Sequence, residues 1–467
     1  MKIVPTAALA LPAALTATPA FAHAADRGFV MLLPTGHYMA GGALAVLAIF
    51  AVLALARPEP LDRLARWSAR LVRLRFDGRA LTSTLSFAVL ALLVWSGLEG
   101  SRDPLSNPLP LVIWTVWWVG LTILTGVFGN LWRWLDPWYG PVRAVLAFAG
   151  RHGAPPLMRL PEGLGRWPAI LVFLAFAWFE LVHPAPSDPE LLATVVAAYW
   201  LFGFAGALIF GHAAFTRQVE CFSVFFGMIA ALSVFRRDGD GTLRLVPPGA
   251  KAVAAQPLDR SGTLFLLLAL STVSFDGLMH TFRWLAFIGV NPLEYPGRTA
   301  VMLPNTLGLI GAFAALAGIF HLCIRAGSRI AGGAGSAAAA GALVWSIVPI
   351  ALAYHFAHYL VSSTLNAQYA LAAISDPLSR GWNLFGTAGY HVLAGATTGY
   401  ESAWVIWNLQ AFAIIGAHVL AVIMAHVIAF RLHGDGRRAA LSQLPLAILM
   451  VGYTVLGLWL LSSPTGL

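Results

Sequence analysis

Apolar runs of about 20 residues recur along the whole chain, and no other feature constrains its fold as strongly. A helix needs about 20 such residues to cross the hydrocarbon of a bilayer. Runs of this kind lie near 38–56, 80–99, 109–130, 167–184, 191–213, 263–283, 301–324, 341–362, 403–430 and 444–463. In lipid every backbone amide must be satisfied within its own segment or in a closed barrel. The reading is therefore all-α, a polytopic inner-membrane bundle of about ten transmembrane helices. Only 10% of the 467 residues are charged, against about 25% in a soluble domain, which excludes a soluble enzyme, a disordered chain and a coiled coil. A shorter segment, 218–235, has several phenylalanines and ends near Arg236-Arg237; it is expected to be interfacial or re-entrant.

The formal charge of +9 raises nucleic acid as a partner, and its placement removes it. Arg57, Arg63, Arg66, Arg70, Arg73, Arg75 and Arg79 fall in the first loop. The third loop holds Arg133, Arg143, Arg151, Arg159 and Arg166; the fifth holds Arg217, Arg236, Arg237 and Arg244. Arg325 and Arg329 follow in the seventh, and Arg431, Arg437 and Arg438 in the ninth. The even loops are poorer in arginine and carry Asp103, Asp188, Glu190, Glu294 and Asp376. Basic loops stay in the cytoplasm, so the odd loops are expected there, with both mature termini in the periplasm. Trp132, Trp134, Trp138, Trp284, Trp382, Trp404 and Trp407 lie near span ends, where an aromatic belt is expected. The polar segment 363–402 is expected to be a lid over a periplasmic mouth.

The first 22 residues read as a signal peptide, with Lys2 before an apolar run and Ala20-Phe21-Ala22 as the cleavage site. Residues 23–467 then form one transmembrane domain. Cutting after Ala22 makes His23 the first residue, and a free amine beside an imidazole chelates Cu(II). Cutting after Ala24 destroys that chelate. Cys221 and Cys323 form no CxxC or CxxCH, which argues against thiol redox pairs and covalent c-type haem.

Ionisable groups in hydrocarbon are functional candidates by default. His355 and His358 lie three residues apart near the periplasmic end of the eighth span and are expected to share one face. Asp276 lies inside the sixth span, with His280 four residues on. Glu180, His183 and Glu99 lie at the same outer depth. Mixed imidazole and carboxylate donors at one depth suit zinc, copper or iron, with Asp276 as ligand or base. The alternative is separate helix–helix hydrogen bonds. His418 and His426 are eight apart on the ninth span, too far to share a metal. His418 is the candidate partner of the His355/His358 pair, either in a metal site or as an axial ligand of haem b. His321 and His212 are expected to be interfacial.

Several stretches resemble the bacterial membrane proteins named after fenitrothion hydrolase. They are Ile113–Trp138 (IWTVWWVGLTILTGVFGNLWRWLDPW), Phe222–Ala230 (FSVFFGMIA), Thr272–Leu278 (TVSFDGL), Ser375–Tyr390 (SDPLSRGWNLFGTAGY), Gly416–His426 (GAHVLAVIMAH) and Ser442–Ser462 (SQLPLAILMVGYTVLGLWLLS). The resemblance implies hydrolysis of a lipophilic ester or phosphotriester by a membrane protein and implies no catalytic residues. Three functions follow as expectations. One is a metallohydrolase, with His355, His358, His418 and Asp276, joined by His280, around a metal-activated water. Another is a haem b or copper redox protein passing electrons from a periplasmic donor to quinone. The third is a copper-handling or assembly protein, with His23 and His37 at the periplasmic face.

Overall fold

Long stretches of Leu, Ala, Val and Ile without strand-like alternation fold as helices in the computed structural model. It describes residues 35–463 apart from 74–77, 152, 292–293, 295 and 334–335; the expected signal peptide and His23 lie outside the described residues. The helices used below are α1 (Thr35–Leu55), α2 (Arg79–Glu99), α3 (Pro108–Phe128), α4 (Trp167–Leu181), α5 (Pro189–Phe210), α6 (His212–Gln218) and α7 (Cys221–Ile229). They continue with α8 (Arg260–Met279), α9 (Arg298–Ile330), α10 (Ala337–Ser375), α11 (Tyr400–His433) and α12 (Gly436–Ser462). Among the described residues nine are long and apolar enough to cross a membrane, and α4 is a shorter apolar helix of 15 residues. The chain is a multi-pass, all-α membrane protein.

Polar contacts between loops fix which helix ends lie together. Three strands, β1 (Ala69–Arg73), β2 (Phe235–Arg237) and β3 (Thr242–Leu245), form an antiparallel sheet in the order β1-β3-β2. The sheet was not expected from the sequence, because its strands are short and rich in arginine. It joins the first arginine loop to the one after α7. Arg79 binds Asp136 at 2.9 Å, and Asp136 meets His212 at 3.1 Å. Arg431, near the end of α11, binds Asp62 at 2.7 Å and the Val253 carbonyl at 2.8 Å. All the arginine-rich loops that these contacts join therefore lie at one end.

The same contacts decide two uncertain segments. α6 and the helix Cys221–Leu232 are bent by 72°. His212 before the bend and β2 after it are both tied to the arginine-rich end, so the pair enters and returns: it is re-entrant. α4 crosses despite its length. Arg166 at its start binds Asp259 at 2.9 Å, beside the start of α8. At its other end the Glu180 and His183 carbonyls accept from Arg298 at 3.0 and 3.2 Å, at the start of α9. A 15-residue helix rises only about 22 Å, and its ends are finished by these polar contacts.

Two expectations need correction. Residues 363–375 are not a lid but continue α10, and only 376–399 is a connection. A helix satisfies its own amides and so continues past the hydrocarbon with polar residues on it. The belt reading fails for Trp132, Trp138 and Trp407, which are buried. Trp138 donates its indole N–H to the Trp200 carbonyl at 2.9 Å. Trp132 packs edge-on against Trp117 and tilted against Phe226, in an aromatic core around α7. The outer stripe of α2 (Leu81, Leu85, Val89 and Leu92) is exposed, as a lipid-facing helix requires.

Candidate functional site

α8 packs against α4 on one side and α10 on another, and α10 also packs on α3. The polar side chains of these helices meet in the half of the bundle away from the arginines. Asp276 of α8 is 4% exposed and must find partners there. It accepts Nε2–H of His358 at 2.7 Å. Its other oxygen lies 3.7 Å from His280 Nδ1, whose N–H is already given to the Asp276 backbone carbonyl at 3.0 Å. Tyr359 Oη lies 2.8 Å from Asp276 Oδ2 and 2.9 Å from Glu180 Oε1. Glu180, Tyr359, Asp276 and His358 thus form one hydrogen-bonded chain over three helices. It runs from the α4 side to an imidazole that remains 29% exposed.

Proton counting restricts the state of this chain. An ionised carboxylate only accepts, and a phenol has one proton to give. Tyr359 cannot donate to both carboxyls, so one of them donates back to it. Asp276 is already matched by the His358 N–H, which leaves Glu180 as the protonated acid.

His358 Nδ1 faces the other way. A side chain at Gly277 would lie 3.8 Å from it, and the glycine leaves that space open. The space belongs to a cavity of about 30 Å³ lined by Gly277, His358, Tyr354, Ile414 and Gly457, among others. Space for a water needs roughly 10–15 Å³, so one water fits beside the free imidazole nitrogen.

His355 departs from expectation. Three residues on a helix are about 300° apart, leaving about 60° between the two imidazoles, and here that angle separates them. His355 turns to α3 and donates Nε2–H to the Trp118 carbonyl at 3.0 Å. Its ring stands edge-on to the Trp118 and Tyr359 rings, with centroids 5.0 and 4.9 Å away. That carbonyl is accessible because α3 is wound as a π-helix over Val112–Leu121. π turns loosen the ordinary ladder and recur at functional sites.

His418 is fully buried, and its Nδ1–H bonds the Ile414 carbonyl at 2.8 Å. Its ring contacts Tyr354, with centroids 6.2 Å apart. Its Nε2 has no hydrogen-bond partner among the described residues, and it does not join the Asp276 chain. His426 accepts from Gln443 at 3.3 Å. His183 accepts the Ala185 N–H at 3.1 Å, and His321 bonds the Ala317 carbonyl at 2.8 Å; these are local backbone contacts. Glu99 is exposed at the end of α2, and His37 is exposed on α1.

The expected cofactors do not fit this arrangement. A metal needs donor atoms converging on one point, and the Asp276 oxygens point to two different rings. Among the described residues no three His, Cys, Asp or Glu side chains are grouped to hold a metal ion. Of the expected ligands His355, His358, His418, Asp276 and His280, the structure pairs His358 with Asp276, leaves His280 beside them, and turns His355 to the Trp118 carbonyl and His418 to the Ile414 carbonyl. Haem between His355 and His418 does not fit either. Cofactor pockets measure about 300 Å³ or more, and the cavities lined by His355 and by His358 are about 20 and 30 Å³.

The central residue that sequence reasoning missed is Tyr359. Its one signal was its place beside His358 in the Tyr354–Tyr359 run. Comparison of the chain with protein-family models, curated proteins and solved structures finds no match to any of them.

Proposed function

We propose that the protein is an integral membrane hydrolase that works by general base catalysis on a lipophilic ester or phosphotriester. The observation that carries this reading is the His358–Asp276 pair at 2.7 Å, with the opposite imidazole nitrogen facing a water-sized cavity. Asp276 holds the ring in the tautomer that leaves Nδ1 free and balances the imidazolium formed when Nδ1 takes a proton from water. The hydroxide equivalent attacks the ester carbonyl or phosphoryl centre. The proton held by the imidazole then returns to the leaving group. The resemblance to fenitrothion hydrolase-type proteins supports the same substrate class.

The arginine-rich end is read as cytoplasmic, in a bacterial inner membrane. His358 and the half-exposed His280 then open toward the periplasmic side, where a substrate partitioned into the outer leaflet has access. Purified protein in nanodiscs, given lipophilic nitrophenyl esters and diaryl nitrophenyl phosphates, is expected to release nitrophenolate. His358→Gln and Asp276→Asn should each lower the rate by about 10²-fold or more. Absence of hydrolysis across both substrate classes, or unchanged rates in both variants, overturns the reading.

A further inference from the structure

We propose that Glu180 is the proton store of this site and that it exchanges its proton with the arginine-rich face through water held along α3. The inference deepens the acid–base reading and rests on it only for the use to which the proton is put. It starts from the far side of Glu180. The carboxyl lines a second cavity of about 20 Å³, together with Trp118, Thr122, His355 and Tyr359. Trp118 is 5% exposed, and its Nε1–H, on the same cavity, has no hydrogen-bond partner among the described residues. Buried polar groups in folded proteins are almost always bonded. A cavity of this size with several polar partners has room for one water.

The row continues toward the arginines. Thr125, three residues beyond Thr122 on α3, is fully buried, and its hydroxyl has no partner among the described residues. Trp132 Nε1, in the aromatic core beside Trp117, and Gln218 Oε1, at the end of α6, are also buried and without a hydrogen-bond partner among the described residues. α3 runs from the arginine-poor end at Pro108 to the arginine-rich end at Phe128, so Thr122 at the Glu180 cavity and then Thr125 step toward the arginines. The other cavity, at His358, lies on the opposite side of the Tyr359 bridge. In one transfer the Glu180 proton passes to Tyr359 Oη while the Tyr359 proton passes to the Asp276 carboxylate. Two protons each cross one hydrogen bond, the net result being one proton carried from Glu180 to Asp276; no electrons move, and Glu180 is refilled from water.

The test uses the full chain in liposomes with a pH-sensitive dye inside and a potassium gradient released by valinomycin. Proton uptake is expected above that of empty vesicles. It should fall about tenfold or more in Glu180→Gln and Thr125→Val and persist in Glu180→Asp. An infrared C=O band of a protonated carboxylic acid should be present in the parent protein and absent from Glu180→Gln. Thr125 lies outside the hydrolytic pair, so Thr125→Val should keep ester hydrolysis while losing flux. Flux equal to empty vesicles, parental flux in either losing variant, or no band assignable to Glu180 overturns the proposal. Flux that depends on Glu180 without any ester hydrolysis supports the pathway and overturns the hydrolase reading instead.

Discussion

The Tyr359 hydroxyl bridges two carboxyls, and neither has another side chain of the cluster to take its place against the other. Tyr359→Phe keeps the ring and deletes the bridge. Leaving a buried polar group unbonded costs about 1–3 kcal/mol, so this variant should unfold earlier in a thermal scan in detergent and lose hydrolysis in the same preparation. His418→Leu is the contrasting case. Its Nε2 has no hydrogen-bond partner among the described residues and lies outside the Asp276 chain, and the rate of hydrolysis by the folded variant should stay close to that of the parent. At the arginine-rich end, burial pushes the Asp136 carboxyl up, but His212 and Arg79 outweigh it and hold the group below the usual range. A depressed folded-state value means that the stabilisation is fully present above the ordinary carboxylate range, near pH 4, and is lost as pH falls through the folded value. Asp136→Asn should therefore flatten the acid side of a stability–pH curve and lower stability at neutral pH. An acid limb identical to the parent's would remove Asp136 from the account.

At the scale of the element, two departures from regular helix shape the interior. The π turn in α3 presents the Trp118 carbonyl to His355, and the bend between α6 and α7 returns the chain to the end it left. Close helix contacts hold these pieces in place. Gly327 of α9 lies against the backbone of α12, where a Cβ would run into the Ser442 carbonyl. Backbone does not give way as a flexible side chain does, so Gly327→Ala is expected to destabilise by about 1–3 kcal/mol. Midpoint shifts in thermal unfolding measure this. Gly416→Ala, at a position with open space around it, serves as the control and should change little.

At the scale of the whole molecule, the nine membrane-length helices among the described residues, the shorter α4 and one re-entrant pair place the end of α12 opposite the arginine-rich loops. A reporter fused after Leu467 should read periplasmic. Cysteines introduced at Arg237 and Arg380 should be labelled from opposite sides of the membrane, the first from the cytoplasm. Labelling at Arg237 from the periplasm would mean that α6 and α7 cross, or that α4 does not; labelling of both from one side would mean that one of α8, α9 and α10 does not cross. The all-α class, the span positions and the common side of the arginine loops were legible because apolar length and charge placement are set by the bilayer itself. Asp276, His280, His355 and His358 were also legible as candidates, since an ionisable group in hydrocarbon stands out in any sequence.

What the sequence by itself determined is thus which segments are apolar enough to lie in lipid, that arginine-rich loops gather at one end, and which residues must find a polar partner between the helices. Tertiary structure decided the partners. Two histidines three residues apart look like one ligand pair, yet the rotation between them sends His355 to α3 and His358 to α8. Tyr359 was silent because a tyrosine in an apolar helix is ordinary; it matters only because α4 and α8 bring Glu180 and Asp276 to its one hydroxyl. Trp132 and Trp138 read as a belt until the re-entrant pair covered them. Helix packing is set by side-chain shape across neighbours distant in sequence, and no local pattern encodes which helices become neighbours.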